Sequence, residues 1–524
     1  MKTGADRVYS TRSPKRGWSW ETLPAPIPES EIAETITADV VIIGGGISGL
    51  AAGARCSQAG LRVVIADKND KMIAHAGQVA ALDSPIMREK GVKIDKAQFA
   101  RDWLAVSGSR VREDLLWLFI NRSGEAFEWL MSMAEGCLNI SLYQGYRGPD
   151  FAEYPGTHHI FKKQDCTKYQ NFGGGMLVCE ILQTELLQNG GRIDRSVRAE
   201  QLIRSDEGRV TGFLARDAAG TVRRYLGTKG VILASGDIGG DPEMLEAFCP
   251  IGLKPSKNMF YPAGTNTGDG HKMAYWAGAA LEPAQWAPSL HCIAYNQLSL
   301  FFLHVNRLGK RFMNEDTWMQ AKAVRCLMQP GGDYAWTVMD GKWLQEYGER
   351  FSLIGGQGMT PLNLSTQGAE WTPDCGMAER LEADIQRGNA VKADTLEELA
   401  EKMGVPAENL LAAVSRYNEL AEQGDDTDFG KRSELLTTVK EAPFYALKWG
   451  PALLDVFGGV ITDVNLHVLA PEGERIPGFY AVGNAAGGMY GVDYPLLLNG
   501  NSYGRALTWA LQAADSIQAD SKEG

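Results

Sequence analysis

Residues 39–68 read DVVIIGGGISGLAAGARCSQAGLRVVIADK, and this stretch decides the fold. Its two apolar runs predict buried parallel strands, and the small residues between them predict a helix. Directly after the first run, Gly44, Gly46 and Gly49 have the spacing G-x-G-x-x-G, and Asp67 ends the second run. This order of strand, glycine turn, helix, strand and acid predicts a βαβ unit that binds a dinucleotide.

Each glycine of this turn has a physical task. Gly44 allows a tight turn, Gly46 lets the backbone approach a pyrophosphate, and Gly49 brings the helix close to the strand. The N–H groups at the start of the helix favour an anion, and the acid at the strand end suits a ribose hydroxyl pair. We expect this unit to hold the cofactor through Gly44, Gly46, Ile47, Ser48, Gly49, Asp67 and Lys68.

The composition of the 524 residues excludes several classes of partner. A net charge of −12 argues against nucleic acid and anionic membrane surfaces, because both favour a basic face. No apolar run is long enough to span a bilayer. Residues 1–38 contain no apolar leader, which predicts a cytoplasmic protein, with an exported protein whose leader has been removed as the alternative. We therefore expect a small-molecule substrate.

The cysteines argue against metal centres. No C-x-x-C pair occurs, so the ligand spacing of iron–sulfur clusters, structural zinc and covalently attached haem is missing, and the histidines have no metal-site spacing either. We expect no metal, and we expect reduced, packed thiols at all eight positions: Cys56, Cys137, Cys166, Cys179, Cys249, Cys292, Cys326 and Cys375.

The rhythm of strands and helices divides the chain. Residues 1–38 mix proline, charge and tryptophan, which predicts an extended arm. Residues 39–280 and 446–524 show the βαβ pattern, which predicts one discontinuous nucleotide-binding domain of the α/β class. Residues 281–445 lose that pattern and end in a helical stretch, so we expect an inserted α+β cap domain.

A second glycine turn lies near the end of the chain. Residues 476–488 read IPGFYAVGNAAGG, and the segment from Asn499 opens a helix whose first N–H groups can face the pyrimidine edge of a flavin. Two distant nucleotide-facing turns fit one long FAD better than NAD. No second G-x-G-x-x-G occurs, so the sequence predicts no separate NAD(P)H site. The expected contacts of this region are Gly483, Asn484, Asn499, Gly500, Asn501 and Ser502.

Several motifs in order resemble the FAD-dependent fumarate reductase and 3-ketosteroid dehydrogenase superfamily. They are DVVIIGGGISGLAAG, KGVILASGDIGG, TNTGDGHKMAYWAGAAL, VNRLGKRFMNE, FGGVITD and IPGFYAVGNAAGG. The resemblance implies a Rossmann-like FAD-binding domain of the glutathione reductase type, a cap over the flavin, and hydride transfer between flavin N5 and a carbon–carbon bond. It adds Ala234, Ser235, Gly236 and Asp269 to the expected FAD contacts.

The segment AHAGQVAA, residues 74–81, falls where some members of this superfamily attach FAD covalently through a histidine and others carry asparagine. The resemblance therefore implies FAD contacts from His75, Ala76 and Gly77. We expect non-covalent FAD, with a covalent bond to His75 as the alternative.

The resemblance also implies that the dicarboxylate site of the fumarate reductases is missing. Uncharged side chains stand at the four positions that would hold the substrate: Ala287, Met319, Leu454 and Tyr494. The positions that would feed the proton donor fall on Tyr295 and Leu298. A buried carboxylate without a partner is costly, so we expect rejection of fumarate and succinate. We expect Ala287, Met319, Leu454 and Tyr295 to line the substrate pocket instead.

At Tyr494 the chain is more similar to the 3-ketosteroid dehydrogenases. The pair Tyr494–Pro495 resembles their late tyrosine, which polarises the substrate carbonyl, whereas their second catalytic tyrosine would fall at Met319. The resemblance also nominates Tyr146, in the segment GYRGPDFAEYPG, as a catalytic residue, and Asp493 could orient or tune the neighbouring phenol. The alternative is that Tyr494 only packs on the flavin.

Together these patterns predict an ene-reductase or dehydrogenase that acts on a carbonyl-conjugated substrate without two carboxylates, with Tyr494 polarising or protonating that substrate. Its electrons would come from, or pass to, a redox protein, reduced flavin or quinone. Two alternatives stay open: an electron-transfer flavoprotein subunit, and an acrylate-type carboxylate reductase with relocated arginines, Arg147 and Arg325. His291 and His304 are further candidates to line the pocket.

Overall fold

The structure is a computed structural model. It describes residues 17–75, 77–134, 136–143, 148, 151–296, 301–354 and 376–523.

Strands and helices alternate along most of the chain. The strands are β1 Ile32–Ile43, β2 Val63–Asp67, β3 Gln78–Ala80, β4 Leu138–Tyr143, β5 Thr157–Lys162, β6 Arg192–Arg195, β7 Val197–Arg204, β8 Val210–Asp217, β9 Val222–Leu233, β10 Lys257–Asn258, β11 Ala287–His291, β12 Leu303–Val305, β13 Ala335–Met339, β14 Ala390–Ala393, β15 Phe444–Trp449, β16 Ala452–Phe457, β17 His467–Leu469 and β18 Arg475–Ala481. The helices are α1 Ile47–Gln58, α2 Pro85–Glu89, α3 Lys96–Val106, α4 Glu113–Met133, α5 Gly174–Gln188, α6 Pro242–Phe248, α7 Asp269–Trp276, α8 Met319–Leu327, α9 Trp343–Ile354, α10 Met377–Gln386, α11 Leu396–Met403, α12 Ala407–Gln423 and α13 Asn501–Glu523.

The largest sheet has the order β17-β18-β9-β1-β2-β6, and the five strands from β18 to β6 are parallel. Helix α1 connects β1 to β2, so the predicted βαβ unit is confirmed. The first half of β9 also pairs with β8, which continues antiparallel to β7. The fold is therefore α/β, as predicted, with the glycine turn at the carboxyl end of β1.

The first strand begins earlier than the predicted end of the N-terminal arm at residue 38. Strand β1 begins at Ile32, because the long β9 offers partners along its whole length, from Val222 onward. Before it, Trp20 is buried against Phe248 and Tyr275, with ring centroids 5.5 and 5.4 Å apart. Aromatic burial therefore holds this segment on the protein surface.

The predicted cap region contains its own antiparallel sheet, in the order β12-β13-β15-β14. Helices α11 and α12 cover it, and their apolar faces form a separate core with β12, β13 and β15. Strand β15 runs to Trp449, beyond the predicted end at 445. The division into 39–280 with 446–524 and an inserted 281–445 stays a prediction.

The described residues also form two small sheets beside the main sheet and the sheet of the cap region. One has the order β10-β16-β11, and the other has the order β3-β5-β4. Strand β11 falls within the predicted cap region, but it pairs with β16, which does not. Its residues therefore face the nucleotide-binding part of the chain.

The prediction of reduced thiols is wrong for two cysteines, because Cys137 and Cys166 form a disulfide. Strand β4 pairs with β5 so that Leu138 lies opposite Lys162, and the backbone N–H of Lys163 donates to the carbonyl of Cys137 at 2.9 Å. Antiparallel pairing therefore brings the two thiols together. The other cysteines within the described ranges are all buried: Cys56, Cys179, Cys249, Cys292 and Cys326.

Among the helices that the structure describes, none combines the length and the apolar character needed to cross a membrane.

Candidate active site

A cavity of about 800 Å³ runs from the glycine turn after β1 to the strands β11 and β16. This volume lies in the upper part of the range that small-molecule and cofactor sites occupy. Most of the predicted cofactor residues line it: Gly44, Gly46, Ile47, Ser48, Asp67, Lys68, His75, Gly77, Ala234, Ser235, Gly236, Asp269, Asn484, Asn499, Gly500 and Ser502.

The backbone of the glycine turn leaves room for a ligand. Gly44 has a φ of +104°, and a Cβ on it would overlap the carbonyl of Ala234. A Cβ on Gly49 would overlap the carbonyl oxygen of Gly44. A Cβ on Gly46, by contrast, would meet no protein atom within 4 Å, so this side of the turn is open. No side chain caps α1, which leaves its first N–H groups available to a pyrophosphate.

Asp67 lies at the end of β2, below the glycine turn. Its carboxylate pairs with Arg195 and accepts a hydrogen bond from the backbone N–H of Asn69 at 3.2 Å. Burial raises the pKa of Asp67, against the effect of Asn69 and Arg195. The sequence did not indicate Arg195, whose position opposite Asp67 follows from the parallel pairing of β2 with β6.

Asp269 forms the second charged cluster of the cavity. Its carboxylate binds Lys68 at 3.0 Å and Arg198 at 2.9 Å. Burial acts to raise the pKa of Asp269, but the two cations outweigh it and lower that pKa to about 2. Nearby, the buried Oγ of Ser235 has no hydrogen-bond partner among the described residues, which suits a hydroxyl or phosphate ligand.

At the other end of the cavity, the start of α13 approaches β3. Gly500 has a φ of +77°, and a Cβ on it would lie 2.6 Å from the backbone of Gln78. The side chain of Asn501 donates to the carbonyls of Pro495 and Leu498, at 2.9 and 2.8 Å. These contacts hold the preceding loop so that Asn499, Gly500 and Ser502 face the cavity.

His75 lies beside this loop. Its backbone N–H donates to the hydroxyl of Tyr503 at 2.9 Å, and its ring lies against Phe260, with centroids 4.2 Å apart. Burial lowers the pKa of His75, so the imidazole is neutral at physiological pH.

Residues of the strands β11 and β16 form one wall of the cavity. We call this part of the cavity the inner pocket, and its described residues include Ser289, His291, Met319, Leu454, Asp455, Phe457 and Tyr494. Burial lowers the pKa of His291 to about 4, so this ring is neutral.

Tyr494 stands at the edge of the inner pocket in an aromatic cluster. Its ring stacks on Phe457 at 4.7 Å and lies 5.6 Å from the ring of Tyr490. The phenol oxygen accepts a hydrogen bond from the backbone N–H of Ser502 at 3.4 Å. Burial raises the pKa of Tyr494 to about 12, so the phenol keeps its proton across the physiological range.

Asp493 does not reach the phenol of its neighbour. Its carboxylate accepts a hydrogen bond from the backbone N–H of Tyr494 at 2.8 Å. Burial raises the pKa of Asp493 to about 7. The contact with Tyr494 is therefore to its backbone, because the short side chain of Asp493 folds back on the main chain.

Some predicted residues lie away from the cavity. Ala287 is buried opposite Phe457 in the β11–β16 pair, and Tyr295 lies against Tyr334 and Lys448 in the cap region. Gly49, Gly483 and Asn501 are behind the cavity wall. A Cβ on Gly483 would overlap the hydroxyl of Ser48, so Gly483 serves close packing. Tyr146 and Ala76 lie outside the described residues.

The structure distinguishes between the two histidines that the sequence left as candidates to line the pocket. His291 faces the inner pocket, whereas His304 is buried behind it, hydrogen-bonded to Thr337 at 3.1 Å and packed on Trp449.

Two acids, the buried Asp237 and the partly buried Asp455, line the cavity but were missed in the sequence. Each acid stands within a largely apolar stretch of the sequence, in LASGDIGG and in LLDVFGG. An acidic residue in such a stretch is the sequence signal that could have indicated them. Arg505 was also missed. Its guanidinium donates to the side chain of Asn484 at 2.6 Å and lies 4.7 Å from the centre of the Tyr490 ring.

Cations are scarce along the cavity. Of the described residues that line it, Lys68 and Arg198 are the basic ones, and both bind Asp269 at the far end from the inner pocket. Arg325 is exposed on α8, and Arg147 lies outside the described ranges. The described inner pocket is therefore uncharged apart from Asp455.

Several known proteins are similar to this chain in sequence and fold. The model of the FAD binding domain family matches residues 39–502. A vinyl phenol reductase of Lactiplantibacillus plantarum is 24% identical over 512 residues, which cover 91% of this chain and 95% of that protein. A 3-oxosteroid 1-dehydrogenase of Mycolicibacterium smegmatis is 26% identical over 589 residues, covering 92% and 97% of the two chains. The open form of a flavocytochrome c3 fumarate reductase has a similar fold, with a TM-score of 0.69 and 22% identity over 97% of this chain and 83% of that one.

These matches agree with the geometry of the cavity. The open backbone at Gly46, the uncapped start of α1 and the unpartnered hydroxyl of Ser235 all fit FAD, and the family match supplies the same cofactor. The predicted resemblance is thus confirmed: the chain belongs to the FAD binding domain family and is an FAD-dependent oxidoreductase.

Proposed function

We propose that this oxidoreductase reduces or forms an activated C=C bond in a partly apolar, carbonyl-conjugated molecule that lacks two carboxylates. The observation that carries the proposal is the neutral phenol of Tyr494 in an inner pocket whose other described walls include Met319, Leu454 and Phe457. The vinyl phenol reductase and the 3-oxosteroid dehydrogenase, both named for uncharged substrates, support this substrate class.

The lack of basic residues in the described inner pocket supports the exclusion of dicarboxylates. Each charge-assisted hydrogen bond contributes about 1.5–3 kcal/mol, and a carboxylate that enters without one loses its hydration. Asp455, when ionised, adds like-charge repulsion. Fumarate and succinate would therefore bind weakly.

Tyr494 suits the task of polarising a carbonyl. Its pKa of about 12 keeps the phenol protonated, so it can donate a hydrogen bond to a substrate oxygen. The N–H of Ser502 donates to the phenol oxygen and stabilises the negative charge that grows on it as substrate oxygen gains charge. Stacking on Phe457 holds the ring in one orientation.

Bound FAD supplies the hydride chemistry for the neighbouring carbon. The chain's own residues bind and orient: the α1 turn and Ser235 suit the pyrophosphate, and the loop from Asn499 to Ser502 suits the flavin edge. The apolar walls at Met319, Leu454 and Phe457 exclude water from the reacting bond.

The size and lining of the cavity favour this proposal over the two alternatives. An electron-transfer subunit needs no pocket beyond its flavin, whereas here the inner pocket extends the cavity with polar and aromatic side chains. A carboxylate reductase with relocated arginines would need one of them at the pocket, and Arg325 is exposed on α8. We propose that an external redox protein, reduced flavin or quinone exchanges the electrons, because the sequence contains one dinucleotide fingerprint.

The test is anaerobic. The purified holoenzyme is reduced chemically, and flavin reoxidation is followed with steroid enones, aryl enones, vinylphenols, cinnamates, urocanate and fumarate. Fast reoxidation by neutral substrates, lost in Tyr494→Phe, is the expected result. Tyr490→Phe is the matched control, because it removes a buried phenol from the same aromatic cluster outside the cavity lining.

Reoxidation by carboxylates alone would overturn the assignment of the substrate. If no compound reoxidises the flavin, the result would favour either a dehydrogenase or an electron-transfer subunit. The oxidised enzyme, mixed with the corresponding saturated ketones, separates those two: bleaching of the flavin identifies a dehydrogenase.

A further inference from the structure

Two carboxyl groups meet at the wall of the cavity. Asp237 follows the end of β9 by a few residues, and Asp455 lies within β16. The side chain of Asp237 is buried, that of Asp455 is partly buried, and both line the cavity. The proposed mechanism uses neither carboxyl group, although it needs a group that exchanges a proton with a substrate carbon.

Asp237 is held on one side and turned toward Asp455 on the other. Its Oδ1 accepts hydrogen bonds from the backbone N–H of Gly239 at 2.6 Å and from the side chain of Asn266 at 2.8 Å. Its Oδ2 is buried, and no N–H or O–H donor of the described residues reaches it. The two carboxyl groups lie close enough to interact, and a hydrogen bond between two carboxyl groups requires that one of them carries a proton.

Asp455 faces the same space as the phenol of Tyr494. Residues two apart on a strand share a face, so the carboxyl of Asp455 lies on the side of β16 that presents Phe457. Phe457 in turn stacks on Tyr494. The side-chain amide of Asn484 donates a long hydrogen bond to Asp455 Oδ1, at 3.5 Å.

We propose that Asp455 is the catalytic residue that exchanges a proton with the substrate carbon next to the one that takes or loses hydride, and that Asp237 is its positioning residue. This inference rests on the proposed function. It also accounts for Met319, which stands where the resembling families would supply a proton-donating side chain.

The proton step balances in both directions. In reduction, the O–H bond of Asp455 breaks, its electron pair stays on the carboxylate, and the proton forms a C–H bond with the former C=C carbon. The hydride for the other carbon comes from the reduced cofactor, which an external donor has reduced. In dehydrogenation, the Asp455 carboxylate takes the proton as the C–H bond breaks, and the electron pair of that bond enters the new C=C bond. The other carbon gives up its hydride to the oxidised cofactor, which an external acceptor reoxidises.

The partner carboxyl sets the protonation of the pair. Burial, followed by repulsion from Asp455, raises the pKa of Asp237 well above its ordinary value. Burial also raises the pKa of Asp455, and the interaction with the Asp237 carboxyl and the charge of Arg505 oppose this rise. Tyr490 and Tyr494 also lie close enough to interact with Asp455, and Cys249 with Asp237.

The expected pH dependence follows from these directions. Reduction needs the proton on Asp455, so its rate is full at low pH and falls as the pH rises through the upper titration of the pair. Dehydrogenation needs the carboxylate, so its rate rises over the same interval. The pair titrates as a unit, and its two apparent pKa values belong to both residues.

The experiment compares Asp455→Asn and Asp237→Asn with the wild-type holoenzyme. Asp384→Asn is the matched control, a buried acid on α10 outside the cavity lining. We expect Asp455→Asn to keep its FAD and to slow flavin reoxidation by the best neutral substrate about 10²–10⁴-fold. Asp237→Asn should slow flavin reoxidation less and should shift the pH dependence of its rate. Asp384→Asn should change neither.

A second readout does not depend on turnover. The infrared spectrum of the wild type should contain the C=O band of a buried protonated carboxyl, identified by its shift in D₂O. The band should be lost in both Asp455→Asn and Asp237→Asn and kept in Asp384→Asn. Its absence from the wild type would overturn the inference.

The outcomes separate this inference from the function on which it rests. If the wild type reduces neutral substrates and Asp455→Asn stays within about threefold of it, the inference is wrong and the proposed function stands. If the wild type acts on none of the compounds in either direction, the proposed function fails, and the inference fails with it.

Discussion

The ring of Tyr494 stacks on the ring of Phe457, with centroids 4.7 Å apart and an interplanar angle of 20°. The two residues come from different parts of the fold, the loop before α13 and the strand β16. The stack therefore joins the loop at the flavin end of the cavity to the strand that carries Asp455. The orientation of the phenol depends on this contact.

Phe457→Leu should lower kcat more than it lowers stability. The substitution keeps the pocket apolar but removes the flat surface on which Tyr494 rests. An aromatic pair contributes about 0.5–1.5 kcal/mol beyond its buried area, so the loss of unfolding free energy should be of that size. Phe213→Leu is the control, because Phe213 stacks on Tyr225 at 4.9 Å outside the cavity. Equal effects of both variants on kcat would contradict the prediction.

Gly46→Ala and Gly49→Ala should separate cofactor binding from folding. A Cβ on Gly46 enters open space, so the apoprotein should lose at most about 1 kcal/mol, while FAD binds about tenfold or more weakly. A Cβ on Gly49 overlaps the carbonyl of Gly44, so its apoprotein should lose about 1–3 kcal/mol. Thermal melts of the apoproteins and FAD titration measure the two effects. A Gly49→Ala apoprotein as stable as the wild type would be evidence against the close contact between α1 and the turn at Gly44.

Asp269→Asn should remove a pH-dependent part of the stability of the apoprotein. The folded-state pKa of Asp269 is about 2, below the reference value of 3.8, because Lys68 and Arg198 outweigh burial. A lowered pKa stabilises the fold above pH 4, and that contribution disappears as the pH falls toward 2. Denaturant unfolding should show wild type and variant differing by about 2 kcal/mol at pH 7 and converging near pH 2. A constant difference across this interval would contradict the assignment.

Reduction of the Cys137–Cys166 disulfide should destabilise the protein. The two cysteines are 29 residues apart, and closing a loop of that length contributes about 3–4 kcal/mol in the chain-entropy account. Unfolding curves with and without a reductant measure the loss. Mass spectrometry after alkylation of the unfolded, unreduced protein should leave these two thiols unlabelled, and labelling of both would show that the disulfide does not form.

Much of the fold could be predicted because its signals are local. The turn at Gly44, Gly46 and Gly49 combines a fixed spacing with apolar runs on both sides, and neighbouring residues decide whether a chain can turn tightly there. The second glycine turn at Gly483 and the helix from Asn501 are equally local. These features were enough to predict FAD and the α/β class.

The sequence by itself therefore determined the cofactor domain and the uncharged side chains at Met319, Leu454 and Tyr494. The tertiary structure decided which distant residues meet: Cys137 with Cys166, Asp67 with Arg195, and Asp237 with Asp455. It also decided that Tyr295 lies in the cap region and His291 in the inner pocket. Such pairings depend on strand register and on packing between elements far apart in the chain, and no local pattern of residues encodes them.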